Sequence, residues 1–347
     1  MNETSFLNLI AGRTRGVGAS LLRGGLAILS LFYWGGVALR SVAFQLGIKK
    51  IYRVNVPVIS VGNITTGGTG KTPFVAYLAD WYSKQNEQVV LLSRGYRALP
   101  GEVNDEKLVL DQLCPNVPHL QNPNRVDSAK RAIAEHRATV LILDDGFQHR
   151  RLHRNLDIVL IDTLNPFGYN HLLPRGLLRE PLTKLKRADI IVLTRADQCS
   201  AEDKTKIIQT IARIRGNDDH VEIAYPPTKL INYSREFCHL KTFKIKPIAA
   251  FCGIGNPVAF REMLERMGYN VVLFQPFADH HHYTQTDIAH LAIKAKQAGA
   301  VALLTTQKDI VKLNQSEEED LPIWAVQIGT KLLSGEKLLE EKLHGTP

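Results

Sequence analysis

Residues 57–72, Pro57-Val-Ile-Ser-Val-Gly-Asn-Ile-Thr-Thr-Gly-Gly-Thr-Gly-Lys-Thr72, constrain the fold of this chain more than any other stretch. The β-branched run 57–61 predicts a buried strand. A helix is expected over 73–84, with Pro73 in its first turn, where a missing N–H costs nothing. Strand, glycine-rich turn, Lys-Thr and helix together form the layout of a P-loop, in which backbone N–H groups and a helix N-terminus cradle phosphates. The candidate nucleotide-binding residues are therefore Thr65, Thr66, Gly67, Gly68, Thr69, Gly70, Lys71 and Thr72. Lys71 would reach the β/γ-phosphates and Thr72 a Mg2+ ion. The strict motif has glycine where this chain has Thr65, but Gly67, Gly68 and Gly70 keep the loop's conformational freedom. A glycine turn that binds nothing is the plainer reading, and Gly70-Lys71-Thr72 at a strand-to-helix junction weighs against it.

At 347 residues the chain has room for one large or two medium domains. Its 44% hydrophobic and 22% charged content is that of a globular protein, which excludes disorder as the default. The net charge of +9 favours anionic partners: a nucleotide, a phosphorylated substrate, nucleic acid or an acidic membrane surface. Cys114, Cys199, Cys238 and Cys252 are scattered, with no C-x-x-C pair, so neither a zinc site nor a disulfide framework is expected.

The first 56 residues differ in character. Residues 24–39 are uncharged, and Arg13, Arg15 and Arg23 precede them while Arg40, Lys49, Lys50 and Arg53 follow. The run is short for a crossing, which takes about 20 apolar residues. Leu22, Leu26, Leu29, Tyr33 and Val37 fall on one helical stripe, so a helix lying in or dipping into a membrane interface is expected, held by anionic headgroups. A signal peptide is the first alternative, set aside because a nucleotide site downstream belongs in the cytoplasm. A helix buried in the protein's own core is the second.

From residue 57 the pattern is α/β. Strands are expected at 88–93, 139–143, 157–161 and 189–193, with a helix at 125–136 and a long polar loop at 97–106. Such alternation predicts a P-loop NTPase-like, mostly parallel sheet with helices on both faces. Ligands of these sheets bind beyond the carboxyl ends of the strands, where Arg94, Asp144, Asp145 and Thr194 fall. Pro226-Pro227 marks a boundary, beyond which strands at 247–252, 270–275, 301–305 and 323–327 and helices at 257–267 and 286–298 form a second, smaller α/β domain. The expected division is 1–56, 57–230 and 231–347.

Val140-Leu-Ile-Leu-Asp144 has the form of a Walker B strand, whose carboxylate holds Mg2+ opposite the P-loop Thr; Asp145 either shares that role or caps the turn. Thr194-Arg-Ala-Asp197 is similar to the guanine-reading Asn-Lys-x-Asp, yet lacks its Asn and Lys, which favours a strand-end turn. Three consecutive histidines after Asp279 point in different directions and cannot easily chelate one ion, so an Asp–His pair for proton transfer suits them better. A solvated loop is the blander alternative, as it is for Asp105 and Glu106.

Taken together these residues resemble the tetraacyldisaccharide 4′-kinase family over nearly the whole chain. The resemblance rests on the P-loop variant 61–73, Ser93-Arg-Gly-Tyr96, Asn104-Asp-Glu106, Pro123-Asn-Arg-Val126 and Asp144-Asp-Gly-Phe-Gln-His-Arg-Arg-Leu152. It continues through Leu172-Leu-Pro-Arg-Gly176, Leu178-Arg-Glu-Pro181, Phe277-Ala-Asp-His280 and Thr306-Gln-Lys-Asp309. In that family Thr at position 65 is ordinary. Glycine is expected where this chain has Asn104, and Asp where it has Asn124.

The resemblance implies ATP-dependent phosphorylation of the 4′-hydroxyl of a tetraacylated glucosamine disaccharide 1-phosphate at the cytoplasmic face of a bacterial inner membrane. It implies a lipid substrate, an anionic membrane surface as partner, and neither nucleic acid nor an obligate protein partner. By resemblance Asp105 and His280 form the acid/base pair with Asp279 adjacent, and His280 is preferred over His281 and His282. Lys71 and Thr72 would serve phosphate and Mg2+, with Glu106, Asp144 and Asp145 helping to hold the metal. Arg94, Tyr96, Arg125, Gln148 and His149 would line the substrate site. Because Asp105 and His280 lie far apart in sequence, the smaller domain is expected to close over ATP to join them. A GTPase or metallochaperone is the runner-up, and a nucleic-acid-binding ATPase is disfavoured because the basic residues flank apolar sequence.

Overall fold

The computed structural model describes residues 3–95, 104–313 and 321–346. Helices α1 (Glu3–Ile10) and α2 (Val17–Gln45) precede strand β1 (Val58–Asn63) and helix α3 (Lys71–Lys84). Next come β2 (Val89–Ser93), α4 (Asp105–Leu113), β3 (His119–Gln121), α5 (Arg125–His136), β4 (Val140–Asp144), β5 (Leu156–Asp162) and β6 (Ile190–Thr194). The chain continues through α6 (Ala201–Arg215), β7 (His220–Ala224), β8 (Pro227–Ile231), β9 (Phe237–Cys238), β10 (Pro247–Cys252), α7 (Pro257–Arg266), β11 (Asn270–Pro276) and α8 (Gln285–Gln297). Last are β12 (Leu303–Thr306), α9 (Gln307–Ile310), β13 (Ile323–Ile328), β14 (Lys331–Ser334) and α10 (Glu336–His344).

Two compact units result, and neither is continuous in sequence. The first contains the residues up to Arg94, then Asn116–Tyr225, then those from Thr330 on; the second contains Gly95–Pro115 and Pro226–Gly329. The chain thus visits the second unit twice, where sequence reading places one cut near residue 230.

The first unit is built on an eight-stranded sheet in the order β14-β7-β6-β5-β1-β4-β2-β3, parallel except for β14. β1, β2, β4 and β6 are buried at every position, which is why they read as unbroken apolar runs. β1 lies between β5 and β4, so the strand order reverses beside it and a crevice opens beyond its carboxyl end. α3 packs on β1, β2 and β4 through the fully buried Phe74, Val75 and Leu78.

The second unit carries a six-stranded sheet, β11-β10-β12-β13-β8-β9, in which the first four strands run parallel, β8 pairs antiparallel with β13, and β9 antiparallel with β8. Helix α4 packs here against α9, and Gln307 Nε2 donates to Gln112 Oε1 at 3.2 Å.

The N-terminal helix is longer than its uncharged core suggests. α2 runs for 29 residues, with an 18-residue stretch of mean hydropathy 1.5, and at 1.5 Å per residue it extends about 43 Å. Its polar residues turn inward. Ser30 Oγ donates to the Leu172 carbonyl, Tyr33 OH to that of Arg179 and Arg40 to that of Gln148. The apolar side faces out: Leu21, Ile28, Phe32 and Leu39, spaced at seven and four residues, are 71%, 59%, 75% and 73% exposed. Of the expected stripe, Leu26, Tyr33 and Val37 are half-buried while Leu22 and Leu29 stay exposed. The stripe splits because residues 24–39 are apolar all round the helix, whereas the body covers a narrower sector.

Candidate active site

The P-loop leaves β1 at Asn63, whose amide donates to Thr69 Oγ1 at 3.1 Å and so folds the loop back on its own strand. Thr65 needs no glycine freedom. It pairs as an isolated antiparallel bridge with Leu178, and the N–H of Thr66 donates to the Leu177 carbonyl at 2.8 Å. Gly70, the residue before α3, is the position that does need it: its φ is +80°, and an added Cβ would lie 2.2 Å from the ring of Tyr225. The Tyr225 hydroxyl donates to the Gly70 carbonyl at 2.6 Å, bracing the loop from below. Gly67 and Gly68 are exposed, and the buried Thr72 hydroxyl stands in the first turn of α3. The loop's N–H groups and the α3 N-terminus supply what an anionic phosphate needs.

Lys71 is aimed by an acid. Its Nζ lies 3.4 Å from Asp145 Oδ1, and Arg179 Nη1 reaches the two oxygens of Asp145 at 2.9 and 2.8 Å. Burial raises the Asp145 pKa, but Lys71 and Arg179 outweigh burial and bring it down to about 2. Asp145, expected among the metal-holding carboxylates, is thus engaged by two cations. Its neighbour Asp144 is 2% exposed and sits at the carboxyl end of β4, in register with Val61 of β1. Arg179 is a site residue that sequence reading missed. Its signal was the Leu178-Arg-Glu-Pro181 motif, which the Thr65–Leu178 bridge carries to the P-loop.

Thr194-Arg-Ala-Asp197 is a strand-end turn, as expected. Arg195, at φ +55°, pairs with Asp162 and donates to the Gly68 carbonyl at 2.9 Å, so it braces the P-loop.

The expected substrate-site residues cluster in the same unit. Arg125 opens α5 and is 4% exposed; its Nη1 lies 3.5 Å from His149 Nδ1. Burial is the main cause of its lowered pKa. Gln148 donates to the Asn63 carbonyl at 2.9 Å, beside the P-loop. Arg94 is exposed just past the end of β2, and Tyr96 lies outside the described residues.

Burial, then the charges of Arg125, Arg154, Arg151 and Arg40, lower the His149 pKa from 6.5 to about 4. Because the unfolded chain then binds more protons between those values, stability is complete above about pH 6.5 and falls as pH drops towards 4. Urea unfolding of wild type and His149→Gln across pH 4–7 should show a shallower acid slope in the variant. Parallel slopes would count against the half-buried neutral imidazole.

In the second unit Asp105 and Glu106 begin α4, where a loop is expected. Asn104 caps it, its side chain accepting from the Lys107 N–H, and the two acids complement the helix N-terminus. His280, held at φ +58°, places Nδ1 3.0 Å from Asp105 Oδ2 and Nε2 3.9 Å from Asp279 Oδ2. The pair is therefore formed within one unit, and the expectation that domain closure must join it is corrected: residues 95–115 fold with the second unit. Burial raises the Asp105 pKa, but hydrogen bonding to His280 and the charge of Lys312 leave it lowered. The bond to Asp105 is the main reason the His280 pKa is raised. An ionised Asp105 holds the proton on Nδ1 and leaves Nε2 as the unprotonated nitrogen of the ring, the arrangement of a general base. His281 instead pairs with Asp287 at 3.2 Å and stacks on Phe277, its ring 4.7 Å away.

For Mg2+, the donor chemistry fits. The Thr72 hydroxyl and Asp144 carboxylate are hard oxygen donors, and Mg2+ is usually held by one or two carboxylates plus substrate phosphates. Among the described residues no group of three His, Cys, Asp or Glu could form an all-protein metal cage.

Comparison with known proteins converges on one family. The family model described as tetraacyldisaccharide-1-P 4′-kinase matches residues 22–346. A tetraacyldisaccharide 4′-kinase of Halothermothrix orenii is 35% identical, over 91% of this chain and 89% of the relative. One from Anaeromyxobacter sp. strain K is also 35% identical, over 88% and 86%. The crystal structure of LpxK from Aquifex aeolicus in complex with ATP superposes with a TM-score of 0.75 at 30% identity, covering 93% of this chain and 98% of that one.

Proposed function

The chain belongs to the tetraacyldisaccharide 4′-kinase family, and from that premise we propose that it transfers the γ-phosphoryl group of ATP to the 4′-hydroxyl of a tetraacylated glucosamine disaccharide 1-phosphate, a step of lipid A biosynthesis. The observation that carries the reading is the Asp105–His280 contact of 3.0 Å in a chain that also holds a P-loop. A phosphate-binding loop alone suits hydrolysis as well as transfer, whereas a carboxylate–imidazole pair suits removal of a proton from an alcohol.

Each residue then has a part. The P-loop N–H groups and the α3 N-terminus bind the phosphates, and Lys71 exchanges its contact with Asp145 for the β/γ-oxygens. Arg179 stays on Asp145 and keeps that carboxylate charged and fixed. Thr72 and Asp144 would hold Mg2+. The ion supplies neutralisation of phosphate charge when bound. The 4′-oxygen bonds to the γ-phosphorus as the bond to the β–γ bridging oxygen breaks. ADP leaves, and the hydroxyl proton passes to the Asp105–His280 pair. Arg94, Arg125, Gln148 and His149 are assigned to the acceptor, with Arg125 facing its phosphate. Incubation with γ-labelled ATP and the purified disaccharide 1-phosphate tests this. Labelled lipid product is expected with ATP and not with GTP; GTP supporting transfer where ATP does not would overturn the ATP reading.

The lipid acceptor gives the outward face of α2 its partner, the anionic surface of the inner membrane. Full-length protein should sediment with anionic phospholipid vesicles, and Phe32→Asp with Leu39→Asp should lower the bound fraction at least severalfold. Unchanged sedimentation of this double variant would rule out α2 as the docking element.

A further inference from the structure

A closed circuit of polar contacts stands behind the Asp105–His280 pair, and neither the P-loop chemistry nor proton removal accounts for its central cation. Asp309 is 0% exposed and accepts from the Gly253 N–H at 3.1 Å, the Tyr283 hydroxyl at 3.0 Å and the Thr306 hydroxyl at 2.6 Å. Lys312 Nζ lies 3.4 Å from Asp309 Oδ1 and 3.2 Å from Asp105 Oδ2, the oxygen that also meets His280. The Gly253 carbonyl accepts from the His280 N–H at 3.1 Å and closes the ring. With only 7% of its side chain exposed, Lys312 is a nearly buried cation, costly to keep there unless paired, and both its partners are carboxylates.

We propose that Lys312 is a positioning residue: anchored on Asp309, it fixes the direction in which Asp105 presents its carboxylate to His280. Two donors converging on Oδ2 leave the Asp105 side chain little rotational freedom, and the same circuit fixes the backbone of His280. Since Asp309 is held by one strand end and two hydroxyls, the aim of the pair is set by the second unit itself. The inference rests on the pair being catalytic, as proposed above.

A double-mutant cycle on kcat tests it, using wild type, Lys312→Met, Asp105→Asn and the two combined. Lys312→Met should lower kcat roughly tenfold or more, since small misplacements of catalytic groups carry losses up to about 100-fold, while KM for ATP stays within about twofold. The combined variant should be no slower than Asp105→Asn alone, because groups acting as one unit are not additive. Lys312→Arg, which keeps the charge, should recover most of the loss. Additive losses in the cycle, or an arginine variant as slow as the methionine one, would overturn the proposal. Should Lys312→Met not fold, Lys312→Gln carries the same cycle. Wild-type kcat in Asp105→Asn would sink the functional reading itself, whereas a slow Asp105→Asn beside a fully active, folded Lys312→Met would sink only the positioning role.

Discussion

Lys71→Met is expected to lower kcat for phosphoryl transfer about 100- to 1,000-fold, the loss that follows removal of one preorganised donor from developing transition-state charge. The lysine is half-buried at the head of α3 and already oriented by Asp145, so little reorganisation accompanies its move to the phosphates. Methionine matches the length of the stem but carries no charge, and Arg179 remains to satisfy Asp145. The fold should therefore survive while transfer fails. Initial rates at saturating ATP, set beside a thermal melt, separate the two effects. A folded Lys71→Met enzyme with more than a tenth of wild-type kcat would remove Lys71 from the mechanism.

Asp105→Asn and His280→Ala should each lower kcat by about 100- to 10,000-fold, the range general-base groups contribute, with ATP affinity changed by less than about threefold. The asparagine variant is the sharper test. Its side chain keeps the size and polarity of Asp105, and Asn104 still caps α4, but it removes the charge that orders the imidazole. Calorimetric titration with ATP should look alike for wild type and both variants. Full turnover in both would refute the pair, and loss of ATP binding would assign these residues to nucleotide binding instead of proton removal.

Much of this was legible in the chain because its signals are local. β1, the P-loop and Asp144 announce themselves through unbroken apolar runs ending in Gly-Lys-Thr or an acid, and the parallel sheet follows from their alternation with helices. The Thr65 departure from the strict motif resolves only through a long-range contact, as an extended residue paired with Leu178. What stayed hidden depends on long-range docking. Nothing in the composition of residues 95–115 shows that they fold with the second unit, and two acids after Asn104 read as solvation until α4 is seen. Arg179 sat inside the Leu178–Pro181 motif and Lys312 just past Thr306–Asp309, each without a partner to give it meaning, since Asp145 and Asp105 meet them only in the folded protein. The apolar stripe on α2 was misplaced because hydrophobicity all round a helix cannot say which side is covered.

The closing segment of the chain bears on how the protein is made. β14 pairs antiparallel with β7 at the edge of the first sheet, α10 buries Leu339 and Leu343, and the Tyr82 hydroxyl of α3 donates to the Leu343 carbonyl. During vectorial synthesis these residues leave the ribosome only after the whole second unit. Until then β7 presents an open strand edge, the kind of surface on which nascent chains pair wrongly. The P-loop sheet is thus begun before the second unit is made and sealed after it. A polypeptide cut short by a premature stop before residue 330 would carry every P-loop residue and still lack the strand that closes the sheet beneath it.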